Sequence, residues 1–161
     1  MTAAAPDGAV GSLVAAAGTL VDSAGTVADR VAVALPAPAT LARLGLAAML
    51  VAAGAHKLLQ PGDWAAYVTD WLAPFLVVTP VQFMLLNGWL ELGFAGLLLA
   101  DRYTAFAATV AWVSLSATIA YLGVVWLTTG AFGDVIARDL GLLALALVVF
   151  RDARESRVGS G

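Results

Sequence analysis

From Tyr103 to Thr129 the chain carries no Asp, Glu, Lys or Arg. An uncharged apolar run of that length has one common destination. About 20 helical residues, rising about 1.5 Å each, cross the roughly 30 Å hydrocarbon core of a bilayer. Water is a poor alternative. Hydrophobic residues make up 61% of the 161 and charged residues 12%, against roughly half and a quarter in soluble domains. So much apolar surface cannot be hidden inside one soluble core, and the chain reads as an integral membrane protein.

Three further runs complete the set. The first span extends from about Thr40 to Leu59, with His56 and Lys57 near its far end and Gln60, Pro61 and Gly62 stopping it. The second begins near Pro80, a residue suited to a first helical turn where its missing N–H costs nothing, and ends at Asp101 and Arg102. The fourth has an uncharged stretch from Leu140 to Phe150; it starts earlier, near Val135, and ends at Arg151. The expected fold is all-α: a membrane four-helix bundle over residues 39–152, followed by a cytoplasmic tail, 153–161.

Residues 1–38 differ in character. After a small-residue, unstructured start (1–8), Val10, Leu13, Val14, Ala17, Leu20, Val21, Ala28 and Val31 recur at three- and four-residue steps, with Ser12, Asp22, Ser23, Thr26, Asp29 and Arg30 mostly opposite. That spacing predicts an amphipathic helix, lying on the membrane surface or docking a partner; Pro36 and Pro38 separate it from the bundle. No cation precedes its apolar stretch, so a cleaved signal peptide is not expected. Between the first two spans, Trp64, Val68, Trp71 and Phe75 are spaced four, three and four, predicting a short interfacial helix that anchors aromatic rings among headgroups.

Small residues mark expected helix contacts, because lipid offers no hydrophobic drive between helices. Gly45, Ala48, Ala52 and Ala55 form one such stripe; Ala107, Ala111, Ser114, Thr118 and Tyr121 form another. Both are expected to face the interior, and small-residue faces also leave homo-oligomers open. Orientation follows from the retention of cations on the cytoplasmic side. Arg30, Arg43, Arg102, Arg151, Arg154 and Arg157 fall on the side of the two termini, against Lys57 and Arg138 opposite. Both termini are therefore expected to be cytoplasmic in a multi-pass cell-membrane protein.

Charge and composition exclude several functions. A net charge of −3 lacks the cation surplus that nucleic acid requires. Cysteine is absent and His56 is the sole histidine, so thiol catalysis, iron–sulfur clusters, Cys/His zinc sites and bis-histidine haem are excluded. Any redox group must be organic, such as a quinone, or belong to a partner. Seven of the eight cations are Arg, the acids are mostly Asp, and Ala, Val and Gly dominate, as in GC-rich prokaryotic genomes.

The residues that could carry chemistry lie within the spans. Glu91 sits about 11 residues, roughly 16 Å, into its helix and so near mid-bilayer. A carboxylate there must be protonated, paired or facing a wet cavity. Asn87 is one turn away on the same face, and Ser114 and Thr118 reach similar depth. By the same counting Lys57 lies roughly 10 Å outward of Glu91, too far for an easy bridge, so Asp139 or Asp63 is its expected partner. His56, Arg138 and Asp139 complete a charged ring at the outer mouth. One reading makes the ring, Glu91 and Asn87 a pocket for a quinone head group or a proton path; the other makes Glu91 a neutral acid donating to Ser114, Thr118 or a carbonyl, with the ring as snorkelling helix ends. No phosphate-binding glycine loop, nucleophile elbow or metal-ligand pattern is present.

Several of these residues fall into a familiar order. Gly54, Ala55, His56, Lys57 and Leu58 end the first span, followed by Pro61 and Trp64. Glu91, Leu92, Gly93, Gly96 and Leu97 lie in the second, and Arg138, Asp139, Leu140, Gly141 and Leu142 open the fourth. Together they resemble the DoxX family of small four-helix membrane proteins, over roughly residues 40–150. The resemblance implies an accessory subunit of quinone-linked redox or oxidative-stress complexes without stand-alone catalysis, and marks Lys57, Glu91, Arg138 and Asp139 as the family's polar positions. A non-enzymatic scaffold that recruits a protein partner in the membrane is the alternative.

Overall fold

A computed structural model describes the backbone of residues 7–158 and the side chains of 10–156. The expected unstructured start lies mostly outside the described residues, as does the end of the expected tail. Among the described residues six α-helices follow in order, α1 (Asp7–Ala34), α2 (Pro38–Leu59), α3 (Pro61–Ala65), α4 (Pro80–Leu99), α5 (Thr104–Thr129) and α6 (Gly133–Val158), with one 3-10 turn at Ala73–Phe75. They divide into two units, α1 alone and the helices from Pro38 onward.

Within its own unit α1 exposes its whole apolar face, Leu13, Val14, Leu20 and Val21 included. Its hydroxyls are satisfied internally: Thr19, Ser23 and Thr26 donate to the carbonyls of Ala16, Thr19 and Asp22, the pattern that lets such residues sit in a helix without a solvent partner. By length and composition α1 joins α2, α4 and α5 as a helix able to cross a bilayer. Composition alone therefore does not restrict α1 to the surface. α6 is missing from that set because its uncharged stretch, Leu140–Phe150, covers only about 16 Å. It is nevertheless a full wall of the bundle, and it begins earlier and runs further than its apolar core suggests.

The second unit is a ring of four long helices in which α2 packs on α4 and α6, and α5 packs on α4 and α6; α2–α4 and α5–α6 are the most extensive pairs. Neighbours alternate in direction. α4 starts where the sequence places it: Pro80 occupies the first turn, and Thr79 and Gln82 exchange hydrogen bonds with each other's backbone N–H in a capping box. α5 ends at Gly130, whose positive φ of 76° lets its N–H close onto the Trp126 carbonyl. The α4–α5 turn is tight, with Asp101 and Tyr103 both at positive φ. Arg43 of α2 holds it by donating to the Leu98 carbonyl and pairing with Asp101 at 3.5 Å. Thr104 adds a 2.8 Å hydrogen bond to the same carboxylate.

One half of the ring is dry. Leu46, Ala47 and Leu50 of α2 meet Ala95 and Leu98 of α4, Ala107, Ala108 and Ala111 of α5, and Ala146 and Val149 of α6. All lie toward the α4–α5 turn, where alanines bring the backbones close. This supports the core of one stripe and part of the other. Ala107 and Ala111 are buried, Gly45 faces Leu145 of α6 and Ala52 lines the cavity described below, but Ala48 is exposed. The buried residues of α2 are Leu46, Ala47, Leu50, Gly54 and Lys57. α2 is small-residued on several sides, so smallness could not select the face.

The interfacial helix expected across Trp64–Phe75 is also corrected. α3 stops at Ala65, and Tyr67 and Val68 donate only three residues back. The Thr69 N–H is captured by the Tyr121 hydroxyl of α5 at 3.0 Å, and that hydroxyl donates in turn to the Tyr67 carbonyl at 2.8 Å. A partner on a neighbouring helix thus outcompetes helical continuation. Trp71 and Phe75 remain exposed, while Trp64 turns into the bundle.

Candidate functional site

Next to the dry core, and sharing Leu50 and Ala111 with it, the ring holds a half-open cavity of about 440 Å³. Met49, Leu50, Phe94, Val110, Leu115 and Leu142 form apolar walls. His56, Lys57, Asn87, Glu91, Ser114, Thr118, Arg138 and Asp139 supply polar groups, and Trp64 reaches in from α3. All five residues singled out from sequence as a binding set (Lys57, Asn87, Glu91, Arg138 and Asp139) therefore line one space.

At its centre is an ion pair. Lys57 Nζ donates to both carboxylate oxygens of Glu91, at 2.6 and 2.7 Å. The lysine is 7% exposed and the glutamate side chain 23%, the remainder facing the cavity. This overturns the expectation that Lys57 would pair with Asp139 or Asp63. The axial offset was sound: Gly54 faces Gly88 across the α2–α4 crossing, which sets Lys57 about 9 Å from the level of Glu91. Side chains, however, lean toward their own helix N-terminus. In antiparallel α2 and α4 that leans Lys57 inward and Glu91 outward, and the two meet. Glu91 is accordingly paired and facing a cavity, and its bonds go to Lys57 and not to Ser114 or Thr118.

The other polar groups are held individually. Asn87 Nδ2 donates to the Phe83 carbonyl one turn back, at 2.9 Å. Asp139 is buried and receives Arg138 Nε at 3.0 Å, the arginine remaining half exposed. The cavity's formal charges thus cancel as two pairs. Arg43, counted from sequence only towards orientation, and Asp101, the expected end of the second span, form a separate cluster at the opposite end and do not join the cavity.

Trp64 is the residue that sequence reading missed. Its ring lies 4.0 Å from Lys57 Nζ, a cation–π contact over the ammonium, and its indole N–H donates to His56 Nδ1 at 2.6 Å. Edge-to-face contacts continue to Tyr67 at 5.9 Å and from there to Phe132 at 4.9 Å. Pro61 was the available signal: by restarting a helix immediately after α2 it folds the next aromatic back over the last turn.

Helices of bilayer length surrounding a neutralised polar cavity define a multi-pass integral membrane protein of the small helical-bundle class. A family model described as DoxX matches residues 38–126. The chain belongs to the DoxX family. The matched segment runs from α2 through most of α5 and stops short of α6, so Arg138 and Asp139 lie outside it. No curated protein and no solved structure matches the chain.

Proposed function

We propose that the protein is an accessory membrane subunit of a quinone-linked redox or oxidative-stress complex, and that its cavity holds a quinone head group while a partner supplies the electrons. The observation that carries this reading is the cavity: a space of ligand size at membrane depth, apolar in its walls, with donors converging from Lys57, Asn87 and Arg138 and with no net formal charge. Such a site favours a neutral ligand bearing acceptor oxygens over an ion, which would break the balance of the pairs. Lys57 has three N–H donors and the carboxylate takes two, leaving one for a carbonyl. Asn87 can offer its amide, and Glu91 and Asp139 can hold protons next to the ligand. A bound quinone would supply the electron-accepting chemistry, which no residue of this cysteine-free chain provides.

Replacing Asn87 with Leu is expected to weaken binding of a short-chain quinone about tenfold, the loss of one buried hydrogen bond, measured by titration calorimetry on the detergent-purified protein. Unchanged affinity would leave the scaffold reading, which the exposed apolar face of α1 favours, as the better account. We also assign both termini to the cytoplasm. Single cysteines introduced as Thr2→Cys and Ser160→Cys should both react with an impermeant maleimide from the cytoplasmic face only. Labelling from opposite faces would instead make α1 a crossing helix.

A further inference from the structure

We propose that His56 and Trp64 form a proton-operated latch across the cavity, holding Trp64 inward while the imidazole is neutral and releasing it when the imidazole is protonated. Among the described residues of the segment joining α2 to α4, Trp64 alone lines the cavity. Its side chain is held by the 2.6 Å bond to His56 and by the Lys57 ammonium beneath its ring. An indole N–H can donate and cannot accept. The ring nitrogen it meets must therefore be unprotonated, whichever of the two it is. An imidazolium carries N–H on both nitrogens, so protonation replaces this hydrogen bond with two opposed donors.

The surroundings reinforce the release. His56 is exposed, so water supplies the proton. On its own helix its charged neighbour is Lys57, whose ammonium repels a second cation. On the elements packed against α2, the charged groups at this end are Asp63 on α3, Glu91 on α4, and Asp134, Arg138 and Asp139 on α6. Glu91 is bonded to Lys57 and Asp139 to Arg138. Among the described residues no carboxylate forms an ion pair with the imidazole, so no counter-ion holds the protonated ring against Trp64. Release needs only the Trp64 side chain to rotate, on a helix of five residues. The latch rests on the quinone reading for its ligand, and makes entry of that ligand depend on pH.

The test uses no quinone, so its failure and the failure of that reading are separable. Ser114→Cys places a thiol on the cavity wall of a protein that has no other cysteine. Its rate of modification by a water-soluble maleimide is measured with Trp64 present and divided by the rate in a Trp64→Ala background at the same pH, which cancels thiol ionisation. With His56 intact the ratio should rise about fivefold between pH 8 and pH 5, as one hydrogen bond is lost. His56→Gln keeps an acceptor at every pH and should give a low, flat ratio; His56→Leu has none and should give a ratio near one, also flat. A flat ratio with His56 intact, or Gln behaving as Leu does, overturns the latch.

Discussion

Replacing Lys57 with Met is expected to lower the unfolding free energy of the bundle by about 3 kcal/mol, the lower end of what breaking a buried ion pair costs. The lower end applies because Glu91 retains contact with the cavity. The loss comes less from the missing attraction than from the carboxylate left behind, which at mid-depth has neither counter-ion nor bulk water. Two companion variants separate these contributions. Glu91→Gln strands the lysine instead, but a long flexible ammonium can reach toward the helix end and keeps its contact with Trp64, so this variant should lose distinctly less. Lys57→Met combined with Glu91→Gln removes both charges and should recover most of the stability, since uncharged replacements of buried pairs are commonly close to neutral. Unfolding by a denaturing detergent in mixed micelles reads all three. If the single lysine variant proves no less stable than the double, the pair is not what holds Glu91 in the bundle.

The ease with which the sequence disclosed this site was uneven, for physical reasons. A charge within an apolar run is conspicuous because lipid makes it expensive, so Glu91 and Asn87 could be placed at depth by counting residues alone. The starts of α4 and α5 were legible for a related reason: Pro80 and the charged pair Asp101–Arg102 are local signals that no distant contact overrides. What could not be read was direction. Lys57 and Glu91 meet because two antiparallel helices lean their side chains toward each other, a property of the pair and of neither helix alone. The inward face of α2 was lost in the same way, since alanines and glycines cover several of its sides and only the partner's surface selects among them. The break at α3 depends on Tyr121, 52 residues away from the Thr69 amide it binds. Aromatic rings near a span end usually belong among the headgroups, which masks Trp64 in the sequence; its bond to His56 exists only once Pro61 has turned the chain back.

The α2–α4 crossing supplies the second large effect. A Cβ at Gly54 would lie 2.8 Å from the carbonyl oxygen of Gly88, and one at Gly88 would lie 3.0 Å from the carbonyl oxygen of Gly54. Both obstacles are backbone, so no rotamer change relieves them and the helices must separate. Gly54→Ala is therefore expected to destabilise the bundle by about 2–3 kcal/mol, in the range of overpacking a tight interior, although alanine is the better helix former. Gly93 and Gly96 provide the control. They lie on the same α4, and a Cβ on either meets nothing within 4 Å. Converting either to alanine should be neutral or stabilise by up to about 1 kcal/mol through helix propensity alone. Separation of the crossing also reaches the site, because Gly54 lies one turn from Lys57 and Gly88 one turn from Glu91. Lys57 already spans an axial offset of about 9 Å, and any increase in lateral distance has to come from the two hydrogen bonds. The coupling energy between positions 57 and 91, measured by a double-mutant cycle, should thus shrink in the Gly54→Ala background and stay unchanged in Gly93→Ala. An unaltered coupling would mean that the ion pair is positioned independently of the glycine contact, and that the crossing serves packing alone.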